Sequence, residues 1–284
     1  MYSQSNPNKE FNSIELSNGN KVLPPRINRI QYIFDSTAIY DATFFIFYSS
    51  YNIFQEFGKF CDTDNSGNKF LAAIRDFVKN QNNKKFQENR LNILLEIGEL
   101  HIDQIKFQEN LTYYFNKLMG QKFSLTRETF CSNCDIKKEM HYNYILPCAK
   151  LTSDTLKTKY FVRDLLFSNK LICSICNNIL ITEYASHHYI AVDLENQHIN
   201  INLNEIEDTL FFDNKAYILS GAIEVENSKA ENKNYIAYCR TIQGFWVKKD
   251  CKVKKKKITK SSNSKLFVKL AFLIFVKSQD IQIS

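Results

Sequence analysis

The sequence predicts an α+β protein in which a helical first part precedes a strand-rich second part. Two observations lead to this prediction. Apolar residues recur at helical spacing before Gly120, and short alternating or β-branched runs follow it. With 284 residues, of which 44% are hydrophobic and 14% aromatic, the chain can bury a core of its own.

The helical part begins after a polar lead-in over residues 1–25. Residues 38–57 carry aromatic side chains on more than one side, which predicts a helix that is buried over much of its surface. Helical spacing recurs in residues 70–78 and again in residues 111–118, where Gly120 supplies a C-cap. These patterns predict several helices, with the first of them near the centre of the molecule.

The strand-rich part consists of eight short runs with alternating or β-branched residues. They cover residues 141–146, 160–166, 189–194, 199–203, 217–225, 235–240, 245–247 and 266–276. The last run is the longest apolar stretch, but Lys269 interrupts it and it is about half the roughly 20 residues that a membrane helix requires. It is therefore predicted to be a buried strand, and we expect no membrane partner.

Composition and charge exclude several further classes. The first 20 residues lack the apolar core of a secretion signal, so we expect an intracellular protein, in the cytoplasm or the nucleus, with reduced cysteines. The net charge of +7 is concentrated partly in the lysines at 254–257. Such a run is most often a solvated loop, and no recognised nucleic-acid motif accompanies it, so we do not expect a nucleic-acid partner.

Four cysteines have the spacing of a zinc ribbon. Cys131 and Cys134 form one C-x-x-C pair, Cys173 and Cys176 form the other, and 38 residues separate the pairs. Two residues between thiolates allow each pair to form a tight turn around one tetrahedral ion, and four sulfur ligands leave no open position for catalysis. We therefore predict structural Zn²⁺ here. Unpaired buried thiols and a redox C-x-x-C are the alternatives, and His141 is interpreted as a strand residue.

Several boxes, taken in order, resemble the ubiquitin-specific protease (USP) family of deubiquitinases. Residues 35–42 occupy the place of the family box N-x-G-N-T-C-(Y/W)-(M/I)-N-(S/A), and residues 108–114 are similar to Q-Q-D-A-x-E-F. The clearest match is to the later box Y-x-L-x-x-(V/I)-x-H…G-H-Y-x-A-Y-x-R…W-Y-x-F-(D/N)-D-x-x-V, which corresponds to residues 217–223, 233–240 and 246–253. The resemblance covers roughly residues 28–277.

The resemblance implies a papain-like hand made of a helical thumb, a β palm and fingers that carry the zinc ribbon. Residues 26–284 would then form a single USP-like domain. Its thumb would span about residues 28–120, its fingers about 121–185 and its palm about 186–284.

The same resemblance implies that the catalytic groups are lost. In the active family a Cys attacks the isopeptide carbonyl, a His transfers the proton, an Asp or Asn orients the His, and an upstream Asn stabilises the oxyanion. These roles fall on Ala38, Asn234, Asp250 and Ile33 of this chain. Only the orienting position is retained. A methyl group cannot attack a carbonyl and a neutral amide cannot accept a proton at pH 7, so we expect negligible hydrolysis.

Three functions follow from these patterns. The first is a catalytically inactive, USP-like module that binds ubiquitin or a ubiquitin-like protein, or acts as a scaffold in a larger complex. The second is an active thiol-dependent deubiquitinase whose catalytic residues lie elsewhere, since four cysteines remain outside the ribbon: Cys61, Cys148, Cys239 and Cys251. The third is a zinc-ribbon protein that binds nucleic acid through its lysine run. The first agrees best with the retained boxes and the lost catalytic groups.

Overall fold

The structure is a computed structural model, and it confirms the α+β prediction. It describes residues 26–27, 30–31, 33–34, 37–101, 104–106, 110–147, 150–167, 171–227, 233–249 and 266–278. Six helices lie in these ranges: α1 (Ala38–Ile53), α2 (Gln55–Asp62), α3 (Lys69–Asn80), α4 (Asn83–Ile97), α5 (Leu111–Met119) and α6 (Phe161–Phe167). None of the helices in the described ranges combines the length and the apolar character needed to cross a bilayer.

The strands of the described ranges form four sheets. The early ones are β1 (Arg26–Ile27), β2 (Ile30–Gln31), β3 (Ile33–Phe34), β4 (Glu99–His101), β5 (Gln104–Lys106), β6 (Leu125–Cys131) and β7 (Ile136–Tyr142). The later ones are β8 (Ile181–Ser186), β9 (Tyr189–Asp193), β10 (Asn200–Asn202), β11 (Thr209–Phe212), β12 (Lys215–Asn227), β13 (Lys233–Arg240), β14 (Trp246–Lys249) and β15 (Phe267–Lys277). The largest sheet has the order β10-β15-β12-β13-β14, with β11 also paired to β12 and β9 to β15. Smaller sheets have the orders β7-β6-β8, β3-β5-β4 and β1-β2.

The long helix α1 is the centre of the first core. Every residue from Ala38 to Ser50 is buried, as the aromatic pattern predicted. The predicted helix over residues 38–57 is in fact two helices, because Phe54 has an extended backbone and separates α1 from α2. Helix α1 packs on β12 and β13, and the Cβ of an alanine at position 221 would lie 2.6 Å from Ile46. A glycine at that position lets the helix approach the sheet closely.

Asparagine caps begin three of the helices. The side chains of Asn68, Asn82 and Asn110 each accept a hydrogen bond from a backbone N–H in the first turn of α3, α4 and α5. Such caps satisfy N–H groups that have no partner within a helix. Helix α5 ends at Gly120, where φ is +55°, in agreement with the predicted C-cap.

The strand predictions for the large sheet are largely confirmed. The apolar run at residues 266–276 forms β15, which lies between β12 on one side and β9 and β10 on the other. Two hydrophobic cores cover its two faces, which explains why it reads as continuously apolar and not as alternating. The prediction for residues 141–146 is only partly correct, because β7 ends at Tyr142 and Ile145 makes an isolated bridge to Val192.

One predicted strand, residues 160–166, is wrong. This stretch forms helix α6, whose buried residues are Phe161, Val162 and Leu165. Their spacing places them on one side of a helix, and a short apolar run does not distinguish a strand from a buried helical turn. The division into thumb, fingers and palm at the stated residue numbers stays a prediction.

Candidate functional site

The four predicted zinc ligands come together at one end of the sheet β7-β6-β8. Their Sγ atoms all lie within 4.8 Å of one another, and those of Cys131 and Cys176 are 3.5 Å apart. Cys131 is the last residue of β6, and Cys134 lies in the turn that leads into β7. The second pair lies in a hairpin just before β8, closed by the bridge between Ile172 and Ile179. Strand pairing in this sheet therefore brings together two turns that are distant in sequence.

The two turns have similar backbone geometry. Asp135 follows the first pair with φ of 51°, and Asn177 follows the second pair with φ of 61°. Both residue types tolerate this left-handed conformation better than most. In the second turn the N–H of Asn177 donates to the carbonyl of Cys173 at 2.9 Å, and the N–H of Cys173 donates to the carbonyl of Asn178 at 2.8 Å. These bonds close the turn that carries Cys173 and Cys176.

The thiol cluster, defined as Cys131, Cys134, Cys173 and Cys176, fits a tetrahedral zinc ion. With Zn–S bonds of about 2.3 Å, the sulfurs of a tetrahedral site are about 3.8 Å apart, which lies close to the spacing found here. Backbone N–H groups of Cys176 and Ile175 lower the pKa of the Cys173 thiol to about 6. A hydrogen bond with Cys176 raises the pKa of the Cys134 thiol to about 12, and the pKa of Cys176 is also raised, so a bound cation is needed to hold all four as thiolates. His141 lies on β7 and hydrogen-bonds Thr126, in agreement with its interpretation as a strand residue.

A second polar group lies at the N-terminus of α1, next to Ala38. Arg90 of α4 donates from Nε to Asp41 Oδ1 at 2.9 Å and from Nη2 to Asp41 Oδ2 at 3.0 Å. Its Nη2 also donates to Thr37 Oγ1 at 2.9 Å, and that hydroxyl donates to Asp41 Oδ2 at 2.9 Å. We call Thr37, Asp41 and Arg90 the charge cluster. Asp41 and Arg90 are fully buried and Thr37 nearly so, so the two charges neutralise each other away from water.

The charge cluster was not predicted from the sequence. Arg90 lies among the buried apolar residues of α4, a helix that the sequence patterns did not single out. The signal was weak, because an arginine inside an apolar helical pattern can equally be a solvated residue. Its partner, 49 positions earlier in the chain, is visible only in the folded structure.

The predicted catalytic positions do not assemble into a reactive group within the described contacts. Ala38 is the first residue of α1 and is buried in the first core. Asn234 lies on β13 opposite Glu226 of β12, and its Nδ2 donates to Glu226 Oε2 at 3.2 Å. The next residue, Tyr235, is the one that joins the core around α1. Because side chains alternate along a strand, Asn234 lies on the opposite face of β13.

The other two predicted catalytic positions are Ile33 and Asp250. Asp250 lies outside the described residues, and so does the lysine run at 254–257. Ile33 is described only through its backbone, which pairs with Gln104 in the parallel ladder of β3 and β5. The roles of Ile33 and Asp250 stay predictions.

The described cysteines outside the thiol cluster are buried. Cys61 of α2 and Cys239 of β13 both have no exposed surface. Burial raises the pKa of the Cys239 thiol to about 12 and also raises the pKa of the Cys61 thiol. Neither supplies a thiolate at pH 7, and the thiolate is the nucleophilic form. Cys148 and Cys251 lie outside the described residues.

Comparison with known proteins identifies the fold class of this chain. No protein-family model and no curated protein matches the sequence. Solved structures do match. Their likeness agrees with the helices, the antiparallel sheets and the thiol cluster of this chain, and the fold is α+β and USP-like. At 14% identity the likeness establishes the fold alone.

Among the matching structures are deubiquitinating (DUB) modules of SAGA. The Ubp8–Sgf11–Sgf73–Sus1 module matches with a TM-score of 0.51 and 14% identity, over 87% of this chain and 67% of that chain. A yeast SAGA DUB module with an Sgf73 mutant has a TM-score of 0.40 and 14% identity, over 86% and 67% of the two chains. A SAGA module bound to ubiquitin aldehyde has a TM-score of 0.38 and 12% identity, over 86% and 68%.

Proposed function

We propose that this chain is a catalytically inactive, USP-like module that binds ubiquitin or a ubiquitin-like modifier, or acts as a scaffold in a larger intracellular complex. The observation that carries the proposal is Ala38, buried at the start of α1 where the family resemblance places the nucleophile. Loss of the nucleophile of a catalytic triad costs on the order of 10⁶ in kcat. The fold that surrounds this position is nevertheless retained.

Two further observations support the loss of chemistry. A general base must lie within hydrogen-bond reach of the group it deprotonates. Asn234 has no basic group at pH 7, and its amide bonds Glu226 on the face of β13 away from α1. The buried thiols of Cys61 and Cys239 offer no replacement nucleophile, because burial raises the pKa of each.

An exposed apolar surface supports a binding role. The hairpin that carries the second cysteine pair, together with the start of β8, exposes four isoleucines that we call the isoleucine patch: Ile172 (62%), Ile175 (70%), Ile179 (60%) and Ile181 (54%). Contiguous exposed apolar residues mark interaction surfaces more often than isolated ones do. We propose that the modifier contacts this patch and that Zn²⁺ in the thiol cluster holds the hairpin in shape.

The chemistry is tested with a ubiquitin probe that carries a thiol-reactive C-terminus. We expect no covalent adduct with the full chain. Variants Cys148→Ser and Cys251→Ser serve as matched controls, because these two thiols lie outside the described residues. An adduct that disappears in one of these variants would show an active thiol enzyme and overturn the proposal.

Recognition is tested separately by titrating the full chain with unlabelled ubiquitin in a calorimeter. We expect saturable binding that weakens about tenfold or more in Ile175→Asp, a loss of about 1.4 kcal/mol. Ile242→Asp is the matched control, since Ile242 is 66% exposed but lies outside the isoleucine patch. Absence of binding at several hundred micromolar would remove the modifier-binding function and leave the scaffold.

A further inference from the structure

A cavity of about 430 Å³ lies between α6, β8 and the turn that joins β11 to β12. Its walls are mainly aromatic: Tyr160, Phe167, Tyr184, Phe211 and Phe212. The volume falls within the roughly 300–1,000 Å³ that is usual for ligand pockets. None of the residues discussed above for catalysis or for the thiol cluster lines it.

The aromatic walls are held in defined positions. The rings of Phe167 and Tyr184 meet edge to face with centroids 5.1 Å apart, and Tyr184 contacts the ring of Phe212 at 6.5 Å. The Tyr184 hydroxyl donates to the carbonyl of Leu166 at 3.1 Å. Phe167 nevertheless remains 52% exposed, so part of this wall faces solvent. An apolar or aromatic group could cover it without any rearrangement of the fold.

Two cations, Lys159 and Arg163, also line the cavity. Lys159 Nζ is 5.3 Å from the ring centroid of Tyr160 and 5.4 Å from that of Phe211. Among the described residues, no carboxylate pairs with Lys159. Arg163 stacks over Tyr160 at 5.0 Å, and its nearest carboxylate, Asp164, is 3.6 Å away with both side chains well exposed. An exposed pair at that distance contributes little, so both cations remain available to an anion.

The acid that lines the cavity, Asp213, is already engaged. Its Oδ2 accepts hydrogen bonds from the Ser186 N–H at 3.0 Å, the Ser186 hydroxyl at 3.2 Å and Lys215 Nζ at 2.8 Å. Lys215 forms an ion pair with this carboxylate, so the negative charge of Asp213 is already offset. The electrostatic character of the cavity is therefore set by Lys159 and Arg163.

We propose that this cavity, which we call the α6 cleft, binds an acidic peptide segment of a partner protein, with one aromatic side chain against Phe167 and Tyr184 and a neighbouring carboxylate on Lys159 and Arg163. Its surroundings disfavour a nucleic-acid strand. Lys157 is already paired with Asp154 and Glu205, so this neighbouring cation is not available to a run of consecutive phosphates. One carboxylate can still reach Lys159 and Arg163, which both line the cavity.

The test is a selection of random dodecapeptides displayed on phage against the full chain, with counter-selection against a Lys159→Gln/Arg163→Gln variant. We expect enriched peptides with an aromatic residue next to Asp or Glu. The best peptide, labelled with fluorescein, should bind at least tenfold more weakly to each single variant in fluorescence anisotropy. Lys84→Gln is the matched control, because Lys84 is an exposed lysine on α4 far along the chain from the cleft.

Three results would overturn the proposal. The first is a selection that yields no sequence dependent on Lys159 and Arg163. The second is enrichment of neutral or basic peptides. The third is an oligouridine RNA that binds the chain and loses affinity in the same two variants, which would assign the cleft to nucleic acid. Because the changed residues are exposed, circular dichroism and zinc content should match the unmodified chain.

Discussion

The thiol cluster and the charge cluster differ in how their polar groups are completed. In the charge cluster, Arg90, Asp41 and Thr37 satisfy one another through four hydrogen bonds between 2.9 and 3.0 Å. In the thiol cluster, four sulfurs within 4.8 Å of one another share no such internal neutralisation once they ionise, and they require a cation. The thiol cluster therefore still requires a bound cation, whereas the polar groups of the charge cluster at the start of α1 satisfy one another and need no ligand.

The largest expected effect is loss of the ion from the thiol cluster. Cys173→Ser should abolish zinc binding and destabilise the ribbon by on the order of 5 kcal/mol, a fraction of the roughly 10–16 kcal/mol with which zinc binds small zinc-finger peptides. Hydrogen exchange should show loss of protection in β6 and β8, while β12 and β15 stay protected. Ser174→Ala, in the same turn, is the matched control and should keep one zinc per chain. Equal protection in both variants would contradict a structural metal.

Breaking the charge cluster should have the next largest effect. Arg90→Met leaves the buried Asp41 carboxylate without its cation and should lower the free energy of unfolding by about 3–5 kcal/mol, measured by urea denaturation. Lys84→Met on the same helix, at an exposed position, should change it by less than about 0.5 kcal/mol. The double variant Asp41→Leu/Arg90→Met should recover part of the loss. A single-variant loss below about 1 kcal/mol would show that Asp41 does not depend on Arg90.

Adding a side chain where α1 lies close to the sheet should have a smaller effect on the free energy of unfolding. Gly221→Ala places a Cβ 2.6 Å from Ile46 and should cost up to about 3 kcal/mol through overpacking. Ile46→Ala removes the clash, so the double variant should cost at least about 1 kcal/mol less than the sum of the two single variants. Strict additivity in a double-mutant cycle would show that the position of α1 on β12 is not limited by this contact.

Asp193 tests whether the ion pair with Arg90 is what allows the Asp41 carboxylate to be buried. Asp193 of β9 is largely buried and pairs with no cation among the described residues, and burial raises its pKa to about 6 from an ordinary value near 3.8. Its ionisation therefore costs stability, fully above pH 6 and progressively less as the pH falls towards 3.8. Asp193→Asn should stabilise the fold by about 2 kcal/mol more at pH 8 than at pH 4.5.

The measurement for Asp193 is thermal unfolding of both chains across this pH range. The Asn amide oxygen can still accept the hydrogen bond that the Glu195 N–H donates to Asp193 Oδ1 at 2.9 Å, so the substitution changes charge and little else. A stability difference that stays constant with pH would mean that Asp193 titrates normally. Asp164→Asn is the matched control, because Asp164 is exposed.

Much of the fold was predictable because its signals are local. The aromatic density of residues 38–57, the cap at Gly120 and the apolar run at 266–276 each report on burial or backbone conformation within a few residues. The C-x-x-C spacing is likewise a local signal, and it predicted the two turns that carry the thiol cluster. The prediction for residues 160–166 failed for the converse reason, because a seven-residue stretch with apolar residues on both sides of Arg163 and Asp164 fits a strand and two helical turns equally well.

The sequence by itself determined which groups are available: four thiols in two pairs, and Ala38 and Asn234 where the family resemblance places the nucleophile and the base. Only the tertiary structure decided which of them meet. The thiols converge because β6 and β8 pair across more than fifty residues of chain, and Arg90 reaches Asp41 because α4 packs beside α1. Asn234 lies on the face of β13 opposite α1 because side chains alternate along a strand. Such contacts depend on long-range pairing, and spacing along the chain does not encode them.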